Sequence, residues 1–113
     1  MGIKPRMTIP TLRVLAALLA DPLAEHYGLE LCHAAGLPSG SVYPILARLE
    51  TAGWLIGTWE DIDEAVEGRR RRRYYRLTGG GLERARAALA EREPALRPVW
   101  PGGLGPDTGT VTT

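Results

Sequence analysis

Three observations predict a mainly α-helical fold carrying a two-stranded β-hairpin. Apolar residues recur at helical spacing in four segments, two short central segments are joined by a Gly-containing turn, and two strand-like runs flank a charged loop. A chain of 113 residues fits one domain, and 44% hydrophobic with 24% charged residues is enough for a modest core. A two-domain enzyme is excluded. The longest apolar run, Val14 to Ala20, is far short of the roughly 20 residues that span a bilayer. The N-terminus lacks the basic, apolar and cleavage segments of a secretory signal, so the expectation is a cytoplasmic chain without membrane contact. A single Cys32 cannot close an intrachain disulfide and agrees with a reducing compartment.

Taken in order, Thr8 is placed to cap a helix opening on Ile9 and Pro10, since proline is tolerated in a first turn. That helix should run to about Ala20 and stop at Asp21-Pro22. Leu12, Val14, Leu15, Leu18 and Leu19 leave Arg13 as almost its only polar position, so its apolar surface exceeds what one small domain covers. A second copy of the chain is the simplest cover. From about His26 to Ala35 the spacing of Tyr27, Leu31, Ala34 and Ala35 predicts a short second helix, with Gly36 as a left-handed stop. After Leu37-Pro38, Ser39 can cap a third helix to about Ala52, in which Val42, Ile45, Leu46 and Leu49 form one buried stripe. Pro44 marks a slightly distorted start to it.

Residues 54–59 (Trp-Leu-Ile-Gly-Thr-Trp) and 72–77 (Arg-Arg-Tyr-Tyr-Arg-Leu) have strand composition, and the charged stretch between them reads as a flexible loop closed by Gly68. Thr78 then caps a fourth helix to about Arg92, ended by Pro94. The expected organisation is an N-terminal arm over 1–8, a helical domain with its hairpin over 9–78, a dimerisation helix over 79–93, and a Pro/Gly-rich disordered tail over 94–113. Helix, helix, helix, two-stranded wing, helix is the order of a winged helix-turn-helix.

The net charge of +1 conceals two opposed blocks. Residues 60–68 hold five acids (Glu60, Asp61, Asp63, Glu64, Glu67) and no base, whereas residues 69–76 hold six arginines and no acid. Thirteen of the fourteen basic residues are arginine, which pairs bidentately with phosphate and with guanine edges.

Several stretches together resemble the PadR family of bacterial transcriptional regulators: Tyr27-Gly28-Leu29-Glu30-Leu31; Leu37-Pro38-Ser39-Gly40-Ser41-Val42-Tyr43-Pro44-Ile45-Leu46; Arg48-Leu49-Glu50; Gly53-Trp54-Leu55; Trp59-Glu60; and Gly68-Arg69 through Arg73-Tyr74-Tyr75-Arg76-Leu77-Thr78. The resemblance covers about residues 9 to 92. It departs from the family pattern at Arg70, where a proline commonly follows the Gly-Arg of the wing. The resemblance implies double-stranded DNA as partner, a homodimer built from the first and last helices, and, for some members, a small aromatic or hydrophobic effector near the dimer interface. With no room for a separate ligand-binding domain, any sensing would use that interface, and Trp100 is a candidate to line it or simply to pack over a gap. No cofactor is implied.

On the third helix the buried stripe leaves Ser39, Ser41, Tyr43, Pro44, Ala47, Arg48 and Thr51 facing outward. Small residues at Ser39, Gly40 and Ser41 allow a first turn to approach the major-groove floor, while Tyr43 and Arg48 can reach the backbone. Ser39 can equally be only a cap, and Tyr43 only a packed aromatic. In the wing Arg69, Arg70 and Arg71, nearest the tip, are the candidates for phosphate or minor-groove contact, against the plainer reading of a solvated charge run. Glu60 and Asp61 are expected opposite Arg70 to Arg72, masking them in the free protein. Neutralising Asp61, Asp63 and Glu64 should then strengthen non-specific binding. Leu12, Leu15, Leu19, Leu82, Ala85 and Leu89, with Leu96, are the candidate dimer surface, or else pack within the monomer.

Catalytic and metal chemistry find no support. Asp61, Asp63 and Glu64 lack the remaining ligands of a Ca²⁺ loop, Cys32 and His33 with His26 do not make a zinc site, and Gly79-Gly80-Gly81 lacks the lysine and spacing of a phosphate loop. No Ser, His and acid arrangement suggests a hydrolase. The expected function is a sequence-specific DNA-binding regulator, a repressor occluding its promoter as a dimer on a palindromic operator. The alternative is a winged-helix protein-interaction module that uses the acidic wing loop.

Overall fold

The computed structural model describes residues 5–96, with side chains as far as Arg92. The expectations for the tail, for Trp100 and for the Leu96 side chain lie outside the described residues. Helix α1 (Ile9–Leu19) starts as its sequence dictates, with the Thr8 hydroxyl accepting the Thr11 N–H at 3.3 Å and Pro10 in the first turn. Its Leu12, Val14, Leu15 and Leu18 form the centre of a core completed by Leu31, by the Val42, Ile45, Leu46 and Leu49 stripe, and by Trp54, Leu55, Tyr75, Leu77 and Ala85.

That packing corrects the expectation of spare apolar surface on α1. The helix is surrounded by three others of its own chain, and Leu12 and Leu15, with Ala85 opposite, are 1%, 0% and 0% exposed. They have nothing left to offer a second copy. Leu19, Leu82 and Leu89 are half-buried against the same core.

Helix α2 spans Gly28–Ala35, two residues shorter at its start than the periodicity predicts. His26 and Tyr27 instead form a two-residue strand, β1. Tyr27 is extended (φ −97°, ψ 161°), and the Glu30 carboxylate accepts its N–H at 3.2 Å, so the helix can begin only at Gly28. His26 is buried, its Nε2 donating to the Asp21 carbonyl at 3.0 Å. Gly36 (φ 68°) ends α2 and Gly53 (φ 83°) follows α3 (Ser39–Thr51), both in the left-handed region that an L side chain resists.

Strands β2 (Leu55–Trp59) and β3 (Arg73–Leu77) pair antiparallel from Leu55 opposite Leu77 to Trp59 opposite Arg73. With β1 pairing on the other side of β3, the sheet has three strands in the order β1-β3-β2 rather than two. The charged loop is also more ordered than its composition suggests. Asp63 accepts the N–H groups of Ala65 and Val66 at 3.0 and 3.3 Å, capping a one-turn helix α4 (Glu64–Glu67) that Gly68 closes. Thr78 secures the base of the wing: its hydroxyl donates to the Gly53 carbonyl at 2.8 Å and accepts the Gly81 N–H at 2.8 Å, capping α5 (Gly79–Leu96). Helix α5 passes through Pro94 instead of ending before it, although the proline forfeits the main-chain bond to the residue four positions back. No described helix is long and apolar enough to cross a membrane.

Candidate nucleic-acid interface

The two surfaces singled out by sequence, the outer face of α3 and the tip of the wing, are both exposed. On α3 the buried stripe turns Ser39, Gly40, Ser41, Tyr43, Pro44, Ala47, Arg48 and Thr51 outward. Ser39 is not the cap. Pro38 holds that position, and its carbonyl already accepts from Ser41 and Val42 at 3.0 and 3.1 Å, so the helix starts one residue earlier than a serine cap requires. Ser39 is therefore the first helical residue, and neither its hydroxyl nor that of Ser41 has a hydrogen-bond partner among the described residues. Pro44 sits inside a continuous helix. Its missing N–H leaves the Gly40 carbonyl without its helical partner, at an exposed residue where solvent can take that place.

Tyr43 does both things that its position allows. Its ring lies so close over Gly28 that a Cβ there would fall within it, yet the residue is still 41% exposed. Burial pushes its phenol up, with the nearby Cys32 thiol adding to the effect, so the hydroxyl is a neutral hydrogen-bond donor. Gly28 is a residue that periodicity alone does not single out; the close approach of the Tyr43 ring from α3 is what requires it. Arg48 is exposed toward the C-terminal end of the same helix.

In the wing, five consecutive arginines have five different situations. Arg69 is held bidentately by Glu60, with Nη1 and Nη2 at 2.7 and 2.9 Å from the two carboxylate oxygens. Glu60 also accepts the Arg72 N–H at 3.1 Å and gives its own N–H to the Arg72 carbonyl at 2.7 Å. Chiefly the Arg69 hydrogen bonds, helped by that Arg72 N–H and opposed by burial, lower the Glu60 carboxyl from its ordinary 4.5 to about 2. Arg71 gives its main-chain N–H to Glu64 at 2.7 Å and brings its Nε to 3.6 Å from the same oxygen. Arg72 lies 4.5 Å over the Tyr27 ring. Arg73 is the structural one: Nη2 is 2.8 Å from Glu50 of α3, and the guanidinium lies 5.2 and 5.9 Å from the Trp59 and Tyr75 rings. Arg70 alone of the five has no ion pair or ring contact among the described residues.

The expected pairing of acids with the wing is thus present in part: Glu60 lies opposite Arg72 as expected, while the side-chain ion pairs fall elsewhere. Glu60 reaches Arg69, and Glu64, carried inward by α4, reaches Arg71; Asp63 is spent on capping, and Asp61 makes no ion pair among the described residues. The Glu50–Arg73 pair escapes a sequence reading because it joins residues 23 apart, although the Leu55–Leu77 register, once known, brings Arg73 opposite Trp59. A hollow of about 380 Å³ beside the first turn of α3 is lined by Leu29, Cys32, His33, Leu37, Pro38 and Ser39. Among the described residues no group of three His, Cys, Asp or Glu side chains could hold a metal ion.

The model of the transcriptional regulator PadR-like family matches residues 15–87. No curated protein matches the chain. Among solved structures it is similar to the transcriptional regulator PA4135 (24% identity, TM-score 0.61, 78% of this chain and 59% of that one). It is also similar to the PcaV regulator from Streptomyces coelicolor in complex with its natural ligand (26%, 0.65, 96% and 71%), and to overoxidized AbfR bound to DNA (20%, 0.61, 93% and 65%). The chain spans less than two thirds of the length of the first and third of these.

Proposed function

Since the chain belongs to the PadR-like family of transcriptional regulators, we propose that it binds double-stranded DNA as a homodimer and represses transcription by occupying a palindromic operator. The observation that carries this reading is the outer face of α3, where Ser39, Gly40 and Ser41 put a small, unpartnered polar first turn at the surface. Such a turn can approach base edges in the major groove, where larger side chains would hold the main chain away. Tyr43 and Arg48 contact the flanking backbone, and the wing-tip arginines Arg69, Arg70 and Arg71 add phosphate contacts. The DNA-bound state of AbfR supports the reading by likeness of fold.

The dimer proposed here uses the seam between α1 and α5, where Leu19, Leu82 and Leu89 are half-buried. A small aromatic or hydrophobic effector acting on that dimer belongs to the same reading, motivated by PcaV with its natural ligand. Selection of bound sequences from a random duplex pool tests the core of it. Enrichment of a two-fold symmetric site is the expected result, and a pool that stays random would overturn it. A dimer making six to ten phosphate contacts should also lose roughly 10³ to 10⁵ in affinity between about 50 and 200 mM salt.

A further inference from the structure

The run Arg69 to Arg73 looks like one basic patch, but its members are not equivalent. Arg72 lies over the Tyr27 ring, and Arg73 is held by Glu50 of α3 and lies beside the Trp59 ring, at the end of the paired strands. Arg69 and Arg71 each face a carboxylate, of Glu60 and of Glu64. These carboxylates are built in. Glu60 lies one residue beyond β2, tied to Arg72 by main-chain and side-chain hydrogen bonds, and Glu64 is the first residue of a helix that exists because Asp63 caps it. Arg70, between them, is exposed and free of both kinds of contact among the described residues.

We infer that Arg70 is the wing-tip arginine free to meet a phosphate on any duplex, and that Glu60 and Glu64 occupy the phosphate positions of Arg69 and Arg71 so that the wing does not grip DNA indiscriminately. An arginine already neutralised by a carboxylate releases no counterion from the duplex, because it brings no net charge to the phosphates. Arg69 and Arg71 therefore contribute little to non-specific binding, and Arg70 carries the electrostatic footprint of the tip. On an operator, where α3 fixes the register, phosphates held in place by the rest of the complex can displace the two carboxylates. This inference rests on the DNA-binding reading above and concerns how that binding is divided among residues.

The test is the salt dependence of binding to a random-sequence duplex of about 30 base pairs, compared with the selected operator, by wild type, Arg70→Ala, Glu60→Gln/Glu64→Gln and Glu64→Gln alone. Each phosphate neutralised contributes about −0.9 to the slope of log K against log salt. Arg70→Ala should make the wild-type slope shallower by about one per subunit. The double glutamine variant should make the non-specific slope steeper by nearly two per subunit, roughly a tenfold gain at about 50 mM relative to 200 mM salt, with a smaller gain on the operator. Glu64→Gln alone removes an exposed pair on a one-turn helix and leaves the Glu60 anchor in place, so it should give about half that change even if the double variant unfolds the tip. An unchanged slope in both glutamine variants, or an Arg70→Ala slope equal to that of wild type, overturns the inference while leaving DNA binding intact. A wild type that binds neither duplex overturns the DNA reading itself, and the inference with it.

Discussion

At the scale of single residues, two side chains show how contact and charge set function. Tyr43 packs over Gly28 at the start of α2, so the close approach of α2 and α3 depends on a glycine lacking a Cβ. Gly28→Ala should cost about 1 to 3 kcal/mol through overpacking, read by chemical denaturation. Combined with Tyr43→Ala it should cost much less than the sum of the two, since the clash is with that ring; simple additivity would show that the ring is not what excludes the methyl. Glu60 gives a pH prediction. Its carboxyl is held at about 2, below its ordinary 4.5, so the pairing with Arg69 is fully present above pH 4.5 and is lost only as pH falls through about 2. Between pH 8 and 5 the Glu60–Arg69 pair should not change, and a ¹³C titration of the Glu60 carboxyl should place its midpoint far below the ordinary 4.5.

Elements differ in how much of them the sequence reveals, and the differences have physical causes. Helix α1 and the start of α5 are legible because a capping threonine precedes buried apolar positions, and α3 is legible through its buried stripe alone; those signals are local. Strand β1 is not, since two residues carry no periodicity and His26 and Tyr27 become a strand only through Tyr74 and Tyr75 across the sheet. Ser39 misleads for a related reason: a serine before an apolar stripe reads as a cap unless the carbonyl of Pro38 is known to be engaged already. On the interface, the exposed residues of α3 follow from the buried stripe, whereas the division of labour among the wing arginines depends on Glu50 and Glu64, set by tertiary packing and by α4. The link between α3 and the wing is itself testable. A Cβ at Gly57 would press on both Glu50 and Arg73. Gly57→Ala and Glu50→Gln should each cost about 1 kcal/mol, in the range for charged hydrogen bonds that are partly solvated, and each should weaken operator binding more than non-specific binding by loosening the wing against α3. Equal losses on both duplexes would assign the pair to stability alone.

For the molecule as a whole, the question is what its first helix is for. Its sequence is apolar around most of the circumference, which suggests a surface shared with a second copy, yet α2, α3 and α5 of the same chain enclose Leu12 and Leu15 completely. The proposed dimer must therefore use residues of these helices other than those that the core encloses. Leu15→Ala should open a cavity in the shared core and cost about 2 to 5 kcal/mol, lowering Tm by roughly 10 to 30 °C for a domain of this size. Leu89, half-buried against the core, lies where the dimer is proposed to form. Leu89→Glu should place a charge where the second copy is proposed to sit, shifting light-scattering mass toward a monomer and removing the rise of Tm with protein concentration that a dimer confers. Because one subunit then holds one half-site, its operator affinity should fall toward its non-specific value while its circular dichroism stays that of the folded chain. If instead Leu15→Ala dissociates a dimer whose subunits keep their Tm, α1 serves assembly through residues that the monomer's own core encloses, and the seam is not the interface.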